Sequence, residues 1–197
     1  MKIKLQGLFA CAALVAAGPS LAQVSDGPLA HSTTGSTSGG QIQFGPDDAL
    51  EASFAAARPF LTWKYYFVPA SAMVRRSSSD VSTYVGTGCI RATSDFVVSD
   101  IQIEDGASMA VLRVYYKDTD ASNHVNAYVT SYDAAGGFTD YGPAQSDPAA
   151  GYGTAAFTFS PYLVTDNAAR SYVFNVRQAG TSTSTAICGV RLFYSIP

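Results

Sequence analysis

From Leu61 onward the chain alternates apolar and polar side chains with a period of two, and turn-forming residues break it into short runs. Trp63, Tyr65 and Phe67 alternate with Lys64, Tyr66 and Val68, and Pro69 closes that run. Successive side chains of a strand point to opposite faces, so this spacing belongs to strands and not to helices. Further runs lie at 81–85, 89–93, 96–103, 109–116, 125–132, 155–160, 172–178 and 186–194. Asp105-Gly106, Asp118-Thr119-Asp120, Ala135-Gly136-Gly137 and Ala179-Gly180 separate them as turn signals. A parallel α/β fold needs a crossover helix between strands, and the spacing leaves no room for one. The expectation is all-β: an antiparallel two-sheet sandwich, jelly-roll-like, over residues 61–197.

Residues 133–153 are rich in Gly, Pro, Asp and Tyr. A structureless loop of about twenty residues is uncommon in a compact domain. Either 138–141 is a short strand, or the segment is a functional loop that presents Tyr141 and Tyr152 to a ligand.

Three segments precede the sandwich. Residues 1–22 read as a secretory signal: Lys2 and Lys4, then an apolar run from Leu5 to Ala17, then Ser20-Leu21-Ala22 as a cleavage site. The run is too short to span a bilayer comfortably, and no later stretch reaches that length. Residues 23–45, with His31-Ser32-Thr33-Thr34-Gly35-Ser36 at their centre, have the composition of a flexible tether. Residues 46–60 carry acids at the start, alanines in the body and Pro59 at the end, which predicts a short helix pinned by Leu50 and Phe54. The protein is therefore expected to be secreted, periplasmic or displayed at the cell surface.

The chain holds 12 basic and 15 acidic residues; without Lys2 and Lys4 the balance is 10 to 15, a net charge of −5. Nucleic acid is not an expected partner, because phosphate binding needs clustered Lys and Arg. Charged residues are only 14 % of the chain, whereas Tyr and Phe together number 23. That balance suits an exported β-protein.

Beyond Cys11 in the leader, the cysteines are Cys89 and Cys188. An exported chain with one such pair and no CxxC predicts a structural disulfide. On its strand Cys188 shares a face with Ala186, Val190, Leu192 and Tyr194, and is expected to point inward. Cys89 fits that direction less well, because its face also carries Arg91 and Thr93. Gly86 and Gly88 allow a bulge that would turn it inward.

Residues suited to catalysis are sparse. The two histidines are His31 and His124, and Glu51 and Glu104 are the only glutamates. There is no Gly-x-Ser-x-Gly elbow, HExxH, P-loop or zinc knuckle. Asp118, Asp120 and Asn123 cluster oxygen ligands of the kind calcium takes, yet lack the glycine and distal glutamate of an EF-hand loop. The same residues suit a hairpin turn, which is the preferred reading, so no cofactor beyond that calcium option is expected.

Two runs share a pattern: Leu112-Arg113-Val114-Tyr115 and Val190-Arg191-Leu192-Phe193. With Leu112, Val114, Val190 and Leu192 facing the core, Arg113, Tyr115, Arg191 and Phe193 line the outer face. Such a stripe can stack sugar rings or dock another protein chain. Alternatively the arginine stems cover the aromatics on a solvated sheet.

Gly88-Cys89-Ile90, Leu112-Arg113-Val114-Tyr115-Tyr116-Lys117-Asp118-Thr119, Gly151-Tyr152-Gly153-Thr154-Ala155 and Cys188-Gly189-Val190-Arg191-Leu192-Phe193-Tyr194 resemble a group of uncharacterised exported bacterial β-sandwich proteins. The similarity covers 65–197. It implies an all-β domain with both cysteines as recurrent features, and supplies no activity or site residue. The expected function is a non-catalytic binding or assembly role. A carbohydrate-binding module using exposed aromatics and a hydrolase using unmarked carboxylates are the alternatives.

Overall fold

The structure is a computed structural model and describes residues 45–78, 81–92, 96–148, 151–179 and 183–196. The expected signal segment, and the expected tether as far as residue 44, lie outside the described residues.

Among the described residues, eleven strands form two antiparallel sheets. They are β1 (Thr62–Pro69), β2 (Val74–Arg75), β3 (Ser82–Gly86), β4 (Cys89–Ala92), β5 (Phe96–Asp100), β6 (Ser108–Asp118), β7 (Val125–Asp133), β8 (Phe138–Gln145), β9 (Gly151–Val164), β10 (Arg170–Gln178) and β11 (Thr185–Ile196). One sheet runs β3-β4-β11-β6-β9, with β1 also paired to β11; the other runs β2-β5-β10-β7-β8. From β4 to β7 the chain changes sheet at every connection, then β7 and β8 form a hairpin, and β8 to β11 alternate again. That order, β4-β11-β6-β9 over β5-β10-β7-β8, is a jelly roll. The two central strands of the first sheet, β6 and β11, are buried on both faces, which their near-continuous apolar composition requires.

Leu112, Val114, Val190 and Leu192 do face the inter-sheet core, with Val97, Val129, Phe174 and Val176 opposite them. The described residues of 133–153 include strand residues rather than forming one long loop. β8 runs Phe138–Gln145, and β9 begins at Gly151.

Cys89 and Cys188 are joined across neighbouring strands β4 and β11, 99 residues apart in sequence. Their direction differs from expectation. Ile187 pairs with Tyr116 and Gly189 with Tyr115, so β11 carries one extra residue, Cys188, in a bulge. An extra residue reverses the alternation. Cys188 therefore points to the outer face, where it clusters with Cys89, Tyr115, Ala186 and Phe67, while Val190 two residues on points inward. Cys89 keeps the outward direction it shares with Arg91, and no inward turn is needed.

A 3-10 turn at Pro46–Asp48 leads into helix α1 (Ala49–Ala57). Leu50, Phe54 and Ala55 pack against Trp63, Ala110, Val111 and Phe193 on the outer face of the first sheet. The helix thus lies outside the sandwich and covers part of one sheet.

Candidate functional site

The outer face of β6 and β11 holds the predicted stripe, but not in the open. Arg113 is 6 % exposed, Tyr115 1 %, Arg191 2 % and Phe193 1 %. The face was read correctly and its exposure was not. Residues 46–57 fold over it and Trp63, Tyr65 and Phe67 of the neighbouring strand β1 pack beside it, with Glu51 and Asp48 supplying the compensating charge. Both Glu51 oxygens accept from Arg113, from Nε at 2.9 Å and Nη2 at 2.7 Å, and Oε1 also lies 3.3 Å from Arg191 Nη2. Arg191 Nη2 donates to Asp48 as well. Arg113 Nη1 donates to Thr154 Oγ1 at 3.2 Å. Burial pulls the Arg113 guanidinium down, and the hydrogen bonds and charge of Glu51 more than offset it, so it stays charged. Arg191 lies 4.3 Å from the Tyr65 ring centroid, and Phe193 stacks on Trp63 at 4.6 Å. Burial pushes the Tyr115 phenol up to about 12 and raises Tyr65 as well. These groups anchor the helix and are not open to a ligand.

One opening that faces solvent lies elsewhere, along the edge where the two sheets end in β8 and β9. Tyr141 from β8 and Phe157, Phe159, Ser160, Pro161, Tyr162 and Leu163 from β9 line a groove of about 320 Å³. Alternation puts Phe157 and Phe159 on the core side of β9, and at a sheet edge the core side reaches the surface. Phe157 and Phe159 meet edge to face at 5.3 Å, and Tyr141 lies 6.3 Å from Phe159. Tyr162 faces the other way from Phe159 and is held by Phe54, Trp63 and Arg58, the guanidinium carbon standing 4.5 Å from its ring. Pro143 and Pro161 remove backbone donors from these two edge strands, which discourages pairing with further strands. No charged side chain lines the groove.

Tyr141 is thus the one sequence-predicted site residue in an open groove. Tyr152 is 50 % exposed on β9 with Lys117 over its ring, and does not line that groove. Phe157, Phe159 and Tyr162 were missed. The signal was their density within one run, Phe157-Thr158-Phe159-Ser160-Pro161-Tyr162, beside a second aromatic strand.

Asp118, Asp120 and Asn123 come together as a turn. Asp118 accepts from Asp120 N at 2.9 Å and from Ser146 Oγ, and His124 Nδ1 stands 3.9 Å away. Asp120 accepts from the backbone of Ser122 and Asn123 and from Asn123 Nδ2 at 3.1 Å. These carboxylates close the β6–β7 connection from within.

A second, more open cleft of about 550 Å³ is lined by Asp100, Gln102, Glu104, Asn167, Arg170 and Tyr194 among others. The carboxyl-bearing residues Asp100 and Glu104 share this cavity. Glu104, however, is ion-paired with Lys64, whose hydrogen bond holds its carboxyl below the usual range. A general acid for glycoside hydrolysis needs the opposite displacement.

The fold is that of an all-β jelly-roll sandwich with one short helix on its outer face. No protein-family model matches the chain, and no curated protein matches it. Among solved structures a xylan-binding module is similar at 17 % identity, with a TM-score of 0.42 over 66 % of this chain and 95 % of that one. A family two carbohydrate esterase from Cellvibrio japonicus is similar at 8 % identity and a TM-score of 0.38, covering 69 % of this chain and 36 % of the esterase. A GH26-CBM35 β-(1,4)-mannanase from Podospora anserina is similar at 15 % identity and a TM-score of 0.36, covering 68 % and 28 %. The chain spans about a third of the esterase's length. Likeness at this level does not extend to ligand or activity.

Proposed function

We propose that this is an exported, non-catalytic β-sandwich protein that binds polysaccharide at the cell surface or in the periplasm. The observation that carries the reading is the groove of Tyr141, Phe157, Phe159 and Tyr162 between the two edge strands. Sugar rings present apolar C–H faces that stack on aromatic rings, and a groove open along a sheet edge accepts a chain without needing its end. Export is supported by the Cys89–Cys188 bond, a linkage that persists in oxidising compartments, and by the resemblance to exported bacterial proteins. Among the described residues no helix is long and apolar enough to cross a membrane.

The test is retention of the mature chain on a panel of insoluble polysaccharides and a glycan array, with Tyr141→Ala and Phe157→Ala beside the wild type. Retention that both variants weaken by roughly tenfold supports the groove; this is the loss expected when a stacking contact of about 1–2 kcal/mol goes. Retention on no polysaccharide sinks the reading.

Assembly with another protein chain is the second reading, and β3 is its specific support. β3 ends its sheet, its residues Ser82 to Gly86 carry no charge or proline, and Tyr84 is 63 % exposed. Such an edge is a template for another strand. Light scattering on a size-exclusion column decides it, and a strict monomer at high concentration removes it.

A further inference from the structure

We propose that the cleft between the end of β5 and the start of β10 is a second carbohydrate site, one that takes a short neutral sugar by hydrogen bonds and not by ring stacking. It shares no lining residue with the β8–β9 groove, so the two sites stand or fall separately.

The cleft measures about 550 Å³, within the range of small-molecule sites. Asp100 ends β5, Gln102 and Glu104 follow it along the wall, and Asn167 and Arg170 line the cleft from the entry to β10. The Arg170 side chain is itself held, because Nη1 donates to Oγ of the fully buried Ser131 at 3.1 Å. Its other N–H groups are left for the cleft, and among the described residues no carboxylate pairs with it. The Asp100 carboxylate likewise has no partner among the described residues, so an acid and a guanidinium share the cleft without meeting. Asn167 is fixed by Nδ2 donating to the Ile103 carbonyl at 2.9 Å and by its N–H donating to Asp105 Oδ1 at 2.7 Å. That leaves Asn167 Oδ1 as an acceptor. Glu104 is engaged by Lys64 and by the Tyr194 phenol.

A hydroxyl answers both unpaired charges, since it donates to a carboxylate and accepts from a guanidinium. Adjacent hydroxyls on one sugar ring present both functions at a fixed spacing. Asp100 offsets Arg170 as Glu104 offsets Lys64, so the cleft favours no net charge in its ligand. A zwitterionic amino acid could also engage Asp100 and Arg170, but its backbone has nothing to match the amides of Gln102 and Asn167, which suit further hydroxyls. The aromatics that line the cleft, Tyr172 and Tyr194, are 4 % and 6 % exposed and offer no ring face for stacking.

The experiment titrates the isotope-labelled mature chain with cellotriose, xylotriose and mannotriose in turn, up to about 10 mM, and follows backbone amide shifts; this registers Kd values in the millimolar range. Shifts at residues 100–104 and 167–171 are expected with at least one of the three. Asp100→Ala and Arg170→Gln are each expected to weaken that binding by roughly tenfold, whereas Tyr141→Ala leaves it intact. Shifts confined to residues 141 and 157–163 overturn the second site and leave the groove standing. No shift at the cleft with any of the three sugars overturns it whatever the groove does. Cleft shifts that are as large with glycine as with the sugars overturn the sugar assignment in favour of a zwitterion. Cleft binding that Asp100→Ala leaves unchanged overturns the proposal as well. Asp100 is exposed and unpartnered, so its variant decides the matter if Arg170→Gln folds poorly.

Discussion

Arg113 and Arg191 stand directly opposite each other on the two central strands β6 and β11, both buried. Like charges in that register repel, and burial sharpens the repulsion. The pair is tolerated because Glu51 bridges both guanidiniums and Asp48 engages the second. The helix is therefore the counter-charge of the sheet as well as its cover.

Glu51→Gln is expected to be among the most damaging conservative changes in the chain. Removing one partner of a buried ion pair leaves the other charge uncompensated, at a cost of about 3–5 kcal/mol. Urea unfolding of the variant checks it; a loss below about 1 kcal/mol would mean that other groups neutralise Arg113.

Phe193→Ala separates packing from binding. Its ring is buried and stacked on Trp63, so truncation is expected to cost about 3–5 kcal/mol of stability. Polysaccharide retention per folded molecule is expected to stay unchanged, because Phe193 does not line the groove. Reduced retention at full folding would contradict this placement.

Gly189→Ala probes the bulge on β11. A Cβ there would sit 2.9 Å from Phe67 Cζ and 3.0 Å from the carbonyl of Val68, and backbone cannot move aside as a side chain does. Overpacking of this kind costs about 1–3 kcal/mol. An unchanged melting temperature would show that β1 shifts freely.

Reduction of Cys89–Cys188 releases a loop that spans most of the sandwich. In the chain-entropy account a loop this long contributes about 4–5 kcal/mol, so the reduced protein should melt many degrees lower. Thermal scans with and without reductant, with masses after alkylation, test it; alkylation of both thiols without reductant would refute the bond.

Alkali is expected to unfold the protein through its buried tyrosines. Burial pushes Tyr115 and Tyr194 up to about 12, against about 10 in the unfolded chain. A raised folded pKa stabilises the native state fully below the unfolded value and loses that contribution as pH rises from about 10 to about 12. Absorbance at the phenolate band should show a late-titrating set coincident with loss of circular dichroism. Complete titration of every tyrosine near pH 10 with the fold intact would contradict it.

The alternation of β6 and β11 was legible because side-chain direction in a strand depends only on position parity, and Leu112, Val114, Val190 and Leu192 do face the core. Parity fails at Cys188, where one extra residue enters a bulge; the pairing with β6 that defines a bulge is made by residues some seventy positions away. Whether Arg113, Arg191, Tyr115 and Phe193 meet water was not local either. It depends on Glu51 and Asp48 arriving from a segment whose own sequence predicts only a short helix.

By itself, the sequence determined the all-β class, most of the strands, the helix and the cysteine pair, which follow from local periodicity, local turn chemistry or a count; the two-residue β2 and the full length of β8 are not among them. Only the tertiary structure decided which aromatics are open. The aromatic stripe that stood out in one dimension is sealed under a charged helix. Tyr141, Phe157, Phe159 and Tyr162 come from two edge strands that do not pair with each other, and they form a groove only because two sheets end together. Exposure is a property of what packs above a residue, and no window of its neighbours in sequence contains that.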